Sequence, residues 1–276
     1  MTDRQKMRIR MEDNNFQQEN IKEEQNTEET KQIPDGNEIC KFRGKIIGFL
    51  FLAITYTFII GMMTVPVLMC KPAIYLYPEK TQKYEVKLDK SIKYNNVIPE
   101  YHNGWVVEAE PNGNIRDLQP KYTNCNKLPS DFGFEYAKKA CEINKYPYIY
   151  WDGVQIKKPL PDKKEGFLVK YNEIENFLNE KADEIALIKD EKKEFVRYWT
   201  HKMQEKNWKY YIVYFLQNEE VDEYLPITLN PAPQNSNRVQ IIIRKGKKNL
   251  KLEEQKLFPI IRQGSTIVEW GGVIKK

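Results

Sequence analysis

Two short stretches place a carboxylate beside a tryptophan and a glycine, a combination suited to sugar chemistry. They read WDG from position 151 and EWGG from position 269. Many glycosidases flank the scissile bond with two carboxyl groups and support the sugar on an aromatic ring. The candidate ligand-facing residues are Trp151, Asp152, Glu269 and Trp270. The alternative, which we favour, is that each tryptophan belongs to the core and each glycine to a turn.

Other catalytic chemistry has less support in the sequence. His102 and His201 are the two histidines, and neither lies near cysteines or carboxylates at metal-ligand spacing. A histidine-rich metal site or a Ser-His triad is therefore not expected. We predict no metal and no cofactor.

The overall charge argues against nucleic-acid binding. The 276 residues include 44 basic and 39 acidic side chains, a net charge of +5. Nucleic-acid binding favours a clustered basic face, whereas this small excess is spread along the chain. We therefore exclude nucleic acid as a partner.

The N-terminal quarter of the chain separates into two segments. Residues 1–45 are polar and acidic with few apolar side chains, which predicts a disordered tail. Residues 46–70 are predicted to form one transmembrane helix, since 46–69 carries no charge and would reach ~36 Å as a helix. Lys41, Arg43 and Lys45 crowd its N-terminal edge, which favours a cytosolic tail and an extracytosolic domain.

Residues 71–276 are predicted to form one membrane-proximal α+β domain. Short strand-like pieces are followed by two helical segments and then by further strands. Phe195, Trp199 and Met203 recur every four residues and mark the apolar face of the second helix. This order indicates an antiparallel, β-rich domain with an inserted helical pair.

The motifs of this domain resemble those of a known group of proteins. KPAIYLYPEK begins at Lys71, and GWVVEAEPNG, YIYWDG, GFLVK, KKEFVRYW and IVEWGG follow in order. This series is similar to a group of uncharacterised, mainly bacterial proteins with KPxIYLYP near the start and VEWGG near the end. The resemblance implies that the stretch around 74–77 is the first strand of the domain, rather than a belt at the lipid headgroups. It implies no activity, so no catalytic residue follows from it.

Relative to that group, the chain carries an insertion at about 117–146. The insertion contains Cys125 and Cys141, which could form a disulfide if the domain lies outside the cytosol. The alternative is two unrelated free thiols.

Two functions remain open at this point. The first is a single-pass membrane protein whose extracytosolic domain is a binding or structural interaction module. Its partners would be the lipid bilayer and a protein or a glycan. The second is a membrane-tethered hydrolase with glycans as candidate substrates and with Asp152 and Glu269 as its acid and base.

Overall fold

The computed structural model describes residues 67–120, 124–128, 137–156 and 158–275. The predicted tail and residues 46–66 of the predicted transmembrane helix lie outside these ranges. Within them, no helix is long and apolar enough to cross a membrane.

The described residues contain eleven strands, four α-helices and two short 3-10 helices. The strands are β1 Val67–Tyr77, β2 Gln82–Leu88, β3 Ile92–Ile98, β4 Trp105–Ala109, β5 Ile115–Asp117, β6 Ile149–Gln155, β7 Phe167–Lys170, β8 Tyr210–Gln217, β9 Ile227–Asn230, β10 Asn235–Lys245 and β11 Thr266–Ile274. The α-helices are α1 Ala137–Glu142, α2 Ile174–Glu184, α3 Lys189–Lys206 and α4 Glu219–Tyr224. The 3-10 helices are Cys125–Lys127 and Tyr171–Glu173.

The strands form two sheets. Seven strands pair in the order β3-β6-β1-β11-β10-β8-β7, and four pair in the order β5-β4-β2-β9. The β-rich α+β domain and the helical pair between β7 and β8 confirm the domain part of the predicted fold class. The transmembrane helix of that prediction stays a prediction, because residues 46–66 lie outside the described ranges. The antiparallel prediction was wrong for one pair, because β10 and β11 run parallel. About twenty residues connect them, which is long enough for the crossover that a parallel pair requires.

The first and last motifs of the sequence lie side by side at the centre of the larger sheet. β1 pairs with β11 from Ala73 opposite Trp270 to Tyr77 opposite Thr266. On its other side β1 pairs with β6, so both of its edges are hydrogen-bonded. This central position explains why Ile74 and Tyr75, which point to opposite faces, are both buried.

The predicted boundary between helix and domain at residue 70 needs correction. Residues 67–70 belong to β1, because Val67, Leu68 and Met69 pair with Gln155, Val154 and Gly153. The domain therefore begins at or before Val67.

A β-bulge interrupts β1 at the start of its motif. The pairing shifts between Cys70 and Ala73, and Lys71 has a positive φ of 48°. Bulges of this kind turn a side chain away from the regular alternation. Here the bulge directs Lys71 toward the helix that covers this face of the sheet.

Helix α3 packs against the sheet through its predicted apolar face. Phe195, Trp199 and Met203 are fully buried, which confirms that prediction. A side chain at Gly272 would bring its Cβ to 2.8 Å from Trp199 Cζ2. The glycine therefore permits the close approach of helix and sheet.

Candidate functional site

The two candidate carboxylates point to opposite faces of the seven-stranded sheet. Glu269 of β11 and Ile149 of β6 both pair with Ile74 of β1, so these residues share one face. The β-bulges in the β1–β6 and β3–β6 pairings insert an extra residue in β1 and in β3, not in β6. The side chains of β6 therefore alternate regularly between the two faces. Asp152 lies three residues after Ile149 and consequently faces the other way.

We name these surfaces the helix face and the opposite face. Trp270 lies on the helix face, where its ring meets that of Phe195 of α3 at 5.5 Å between centroids. Asp152 shares this face, and Glu269 lies on the opposite one. The sheet therefore separates the proposed acid from the proposed base, and the two cannot flank one sugar ring.

Asp152 is buried and committed to local hydrogen bonds. Its carboxylate accepts from the Tyr150 hydroxyl at 2.7 Å and from the Asn96 backbone N–H at 3.1 Å. The Asn96 side-chain amide donates to Oδ2, the oxygen that also accepts from Tyr150, at 3.0 Å. These bonds secure β6 to its neighbour β3.

Glu269 is fully buried in an ion pair. It accepts from Nε of Arg238 at 2.5 Å, and these residues lie opposite each other on neighbouring strands. Nη1 of Arg238 donates to Asp222 of α4 at 2.5 Å. Burial alone would lower the pKa of the Arg238 guanidinium, but Glu269 and Asp222 raise it above its ordinary value. The guanidinium of Arg238 therefore remains charged.

The two candidate tryptophans do not face a ligand. Trp151 and Trp270 are each 0% exposed and belong to the hydrophobic core. The ligand-facing prediction is wrong for both, because β1, β6 and β11 are interior strands covered on both faces. The core alternative is correct for both tryptophans, but its turn prediction is wrong, because Gly153 lies within β6 and Gly271 and Gly272 lie within β11.

A buried lysine that the sequence did not single out forms a polar cluster on the helix face. Lys71 is 0% exposed and forms an ion pair with Glu194 of α3. Its ammonium lies 4.9 Å from the ring centroid of Tyr198 and 5.5 Å from that of Trp270. Tyr148 supplies a third ring at 5.7 Å. Such aromatic enclosures stabilise cations.

The electrostatics of this cluster depend on burial and on Glu194. Burial lowers the pKa of Lys71 to about 8, against the raising effect of Glu194. Burial opposes ionisation of Glu194, yet its hydrogen bond with Arg197 and the charge of Lys71 lower its pKa below the usual range. Because Lys71 has no exposed surface, its ammonium group is not accessible from solvent. Its ion pair with Glu194 instead holds β1 against α3.

A buried residue next to this cluster could have been recognised from the sequence. A neighbouring buried glutamate, Glu191, lies four residues before Phe195 and is therefore on the apolar face of α3. It accepts a hydrogen bond from Tyr77 at 2.7 Å and pairs with Arg262. A carboxylate at such a position predicts a buried partner. Lys71 had no comparable signal, because the bulge that turns it inward is not visible in the sequence.

A basic groove follows the outer surface of the helical pair. It has a volume of about 670 Å³ and is bordered by α2 and α3. Its one carboxylate is Glu175, and its basic side chains are Lys189, Lys192, Lys193, Arg197 and His201. Arg197 joins the groove to the buried cluster, because its Nη2 donates to Glu194 at 2.7 Å. We name this surface the α2–α3 groove.

The structure contains a disulfide between Cys125 and Cys141, whose Cα atoms are 5.6 Å apart. It connects the 3-10 helix Cys125–Lys127 to α1. Within the described ranges, no three histidine, cysteine, aspartate or glutamate side chains are grouped as a metal site.

Comparison with known proteins gave no match: no family model, no curated protein and no solved structure matches this chain. The resemblance through KPxIYLYP and VEWGG therefore stays a prediction.

Proposed function

We propose that the chain is a single-pass membrane protein whose extracytosolic domain binds a negatively charged protein or glycan in the α2–α3 groove. The observation that carries this proposal is the charge of the groove. Five basic side chains and one carboxylate border it. Lys192 pairs with Asp183 and Arg197 with Glu194, so the excess positive charge comes from Lys189 and Lys193, which form no ion pair in the described part of the chain. Such an excess on a concave surface favours anionic partners and accelerates their association.

The disulfide supports the proposed side of the membrane. Disulfides persist mainly outside the cytosol. The Cys125–Cys141 bond therefore agrees with an extracytosolic domain and with the basic residues that precede the predicted transmembrane helix.

The hydrolase alternative has lost its two central residues. Asp152 and Glu269 lie on opposite faces of one sheet, and each is engaged in buried polar contacts. We therefore propose binding and no reaction.

The anchor and its orientation can be tested on membranes from cells that express the full chain. We expect the protein to remain in the pellet after alkaline carbonate extraction. Protease added to sealed vesicles with a lumenal domain should remove only the tail. Release into the supernatant would contradict the anchor, and digestion of the domain in intact vesicles would reverse the orientation.

Binding can be tested with the full chain in nanodiscs and two polyanions, poly-L-glutamate and alginate. Replacing Lys189, Lys192 and Lys193 with glutamine should weaken binding of at least one probe by about tenfold, since three favourable charges are lost. The matched control replaces Lys245, Lys247 and Lys248 with glutamine. These lysines lie outside the groove, so the control should keep the affinity of the wild type. Equal affinity in the groove variant and the wild type would contradict the proposal.

A further inference from the structure

The register of the sheet shows which part of the domain lies where the chain enters it. Val67 begins β1, and next to it β11 ends at Ile274, because Cys70 pairs with Gly272. Since β10 runs parallel to β11, it ends at the same place, at Lys245. β8 begins there, with Tyr211 opposite Lys245. The entry point of the chain, the end of β10 and the start of β8 therefore share one end of the sheet.

The C-terminus of α3 lies at this end as well. Burial raises the pKa of the Cys70 thiol, while the charges of Lys202 and Lys206 in the last turns of α3 lower it. The Tyr211 hydroxyl at the start of β8 donates to the Met203 carbonyl at 2.7 Å, which places the last turns of α3 at this end of the sheet. The turn after β10 lies beside the segment that follows α3, because the Gly246 N–H donates to the Tyr210 carbonyl at 2.8 Å.

This end of the domain presents a cluster of exposed lysines, which we name the anchor-end patch. Its members are Lys206, Lys209, Lys245, Lys247 and Lys248. None of their ammonium groups forms an ion pair with another residue in the described part of the chain. The nearby carboxylates are already engaged, since Glu205 pairs with Lys202 and Glu173 pairs with Lys170.

Two aromatic residues accompany the lysines. Trp208 is half-buried between Lys206 and Lys209, and Tyr171 is 38% exposed. The Tyr171 N–H donates to the Lys209 carbonyl at 3.3 Å, which places the two segments side by side. Tryptophan and tyrosine beside lysines are typical of surfaces at the level of lipid headgroups.

We propose that the anchor-end patch contacts the anionic headgroups of the membrane that holds the chain. This inference rests on the proposed anchor: Val67 directly follows residues 46–66 in sequence, so the patch cannot lie far from the point where the chain leaves the bilayer. Lysines without an ion pair are attracted to anionic lipid when they lie within about one Debye length of the membrane surface. The contact fixes the orientation of the domain on the membrane and leaves the α2–α3 groove for a partner.

The test uses the full chain in nanodiscs of phosphatidylcholine alone or with phosphatidylglycerol. Hydrogen exchange of backbone amides is then measured in the segments 206–210 and 245–250. At low salt we expect exchange to be roughly fivefold slower in the anionic discs, because a headgroup contact restricts local opening. High salt should remove the difference.

Matched variants locate the effect. Replacing Lys245, Lys247 and Lys248 with glutamine should abolish the slowing in anionic discs. Replacing Lys189, Lys192 and Lys193, at the other end of α3, removes the same charge and should preserve it. Slowing that persists in the first variant, or that is equal in neutral lipid, would overturn the inference while leaving the anchor intact. Failure of the chain to copurify with the discs would overturn the anchor and this inference together.

Discussion

Two ion pairs lie buried on opposite faces of the seven-stranded sheet, and their cations respond differently to burial. Lys71 on the helix face has a pKa lowered to about 8 by burial. Arg238 on the opposite face has a raised pKa, because Glu269 and Asp222 outweigh the effect of burial. A lysine can lose its proton when burial becomes too unfavourable, whereas an arginine in a protein does not.

This difference determines what each pair contributes. The Arg238 pair forms a permanently charged link between β10, β11 and α4. The Lys71 pair links β1 to α3, and its charge disappears within a range of pH that proteins tolerate. Removing the carboxylate should therefore have unequal consequences on the two faces.

The largest effect is expected for Glu269→Ala. This change leaves the fully buried guanidinium of Arg238 with Asp222 as its remaining carboxylate, and that residue is 55% exposed. Breaking a buried pair on one side costs about 3–5 kcal/mol of unfolding free energy. We expect a loss in this range in urea denaturation, and the loss should be the same at pH 7 and pH 9 because arginine does not titrate.

Glu269→Gln is the control for this prediction, because it keeps an acceptor for Arg238 and removes only the charge. Its loss should be smaller than that of the alanine variant. A loss below about 1 kcal/mol for Glu269→Ala would show that the pair is not the structural link that we describe.

Glu194→Ala should have a smaller effect that depends on pH. Without Glu194, Lys71 can become neutral in the folded state, which limits the cost to about 2 kcal/mol at pH 7. About 1.4 kcal/mol of this reflects one pH unit between pH 7 and the folded pKa of about 8. At pH 9 Lys71 is mostly neutral in the wild type too, so this part should vanish.

Denaturation of the wild type and Glu194→Ala at both pH values measures the effect. A difference that is equal at pH 7 and pH 9 would contradict the role of the lysine charge and would make the two faces alike.

The same comparison shows which features were open to prediction. The periodicity at Phe195, Trp199 and Met203 identified α3 and its buried face, because helix packing repeats locally along the sequence. The turn around Gly113 separates β4 from β5, and its sequence, PNGN, is typical of a hairpin turn. Alternating patterns likewise identified most strands.

Features set by long-range pairing were not accessible in this way. Asp152 and Glu269 are 117 positions apart, and the face to which each points depends on the register of β1 with both neighbours. The inward direction of Lys71 depends on a bulge of one residue. The parallel pairing of β10 and β11 depends on the path of a long connection. None of these features leaves a local pattern in the sequence. The predicted acid and base, Asp152 and Glu269, are therefore residues whose role in the structure is to hold strands together.

The smallest predicted effect concerns the pH dependence of stability and tests Lys71 directly. Its folded pKa of about 8 is below the unfolded value of 10.5, so between these values the unfolded chain binds more protons and stability must rise with pH. The range ends near pH 10, because burial raises the pKa of Tyr148 and Tyr198 and opposes their ionisation in the folded state. Between pH 8 and 10 we expect Lys71 to contribute a rise of up to about 1 kcal/mol per pH unit. Lys71→Met, which has no group to titrate, should lose that contribution. Urea denaturation at pH 8, 9 and 10 compares the slopes. Parallel slopes for both proteins would show that Lys71 keeps its proton in the folded state up to pH 10, which would remove the contrast with Arg238.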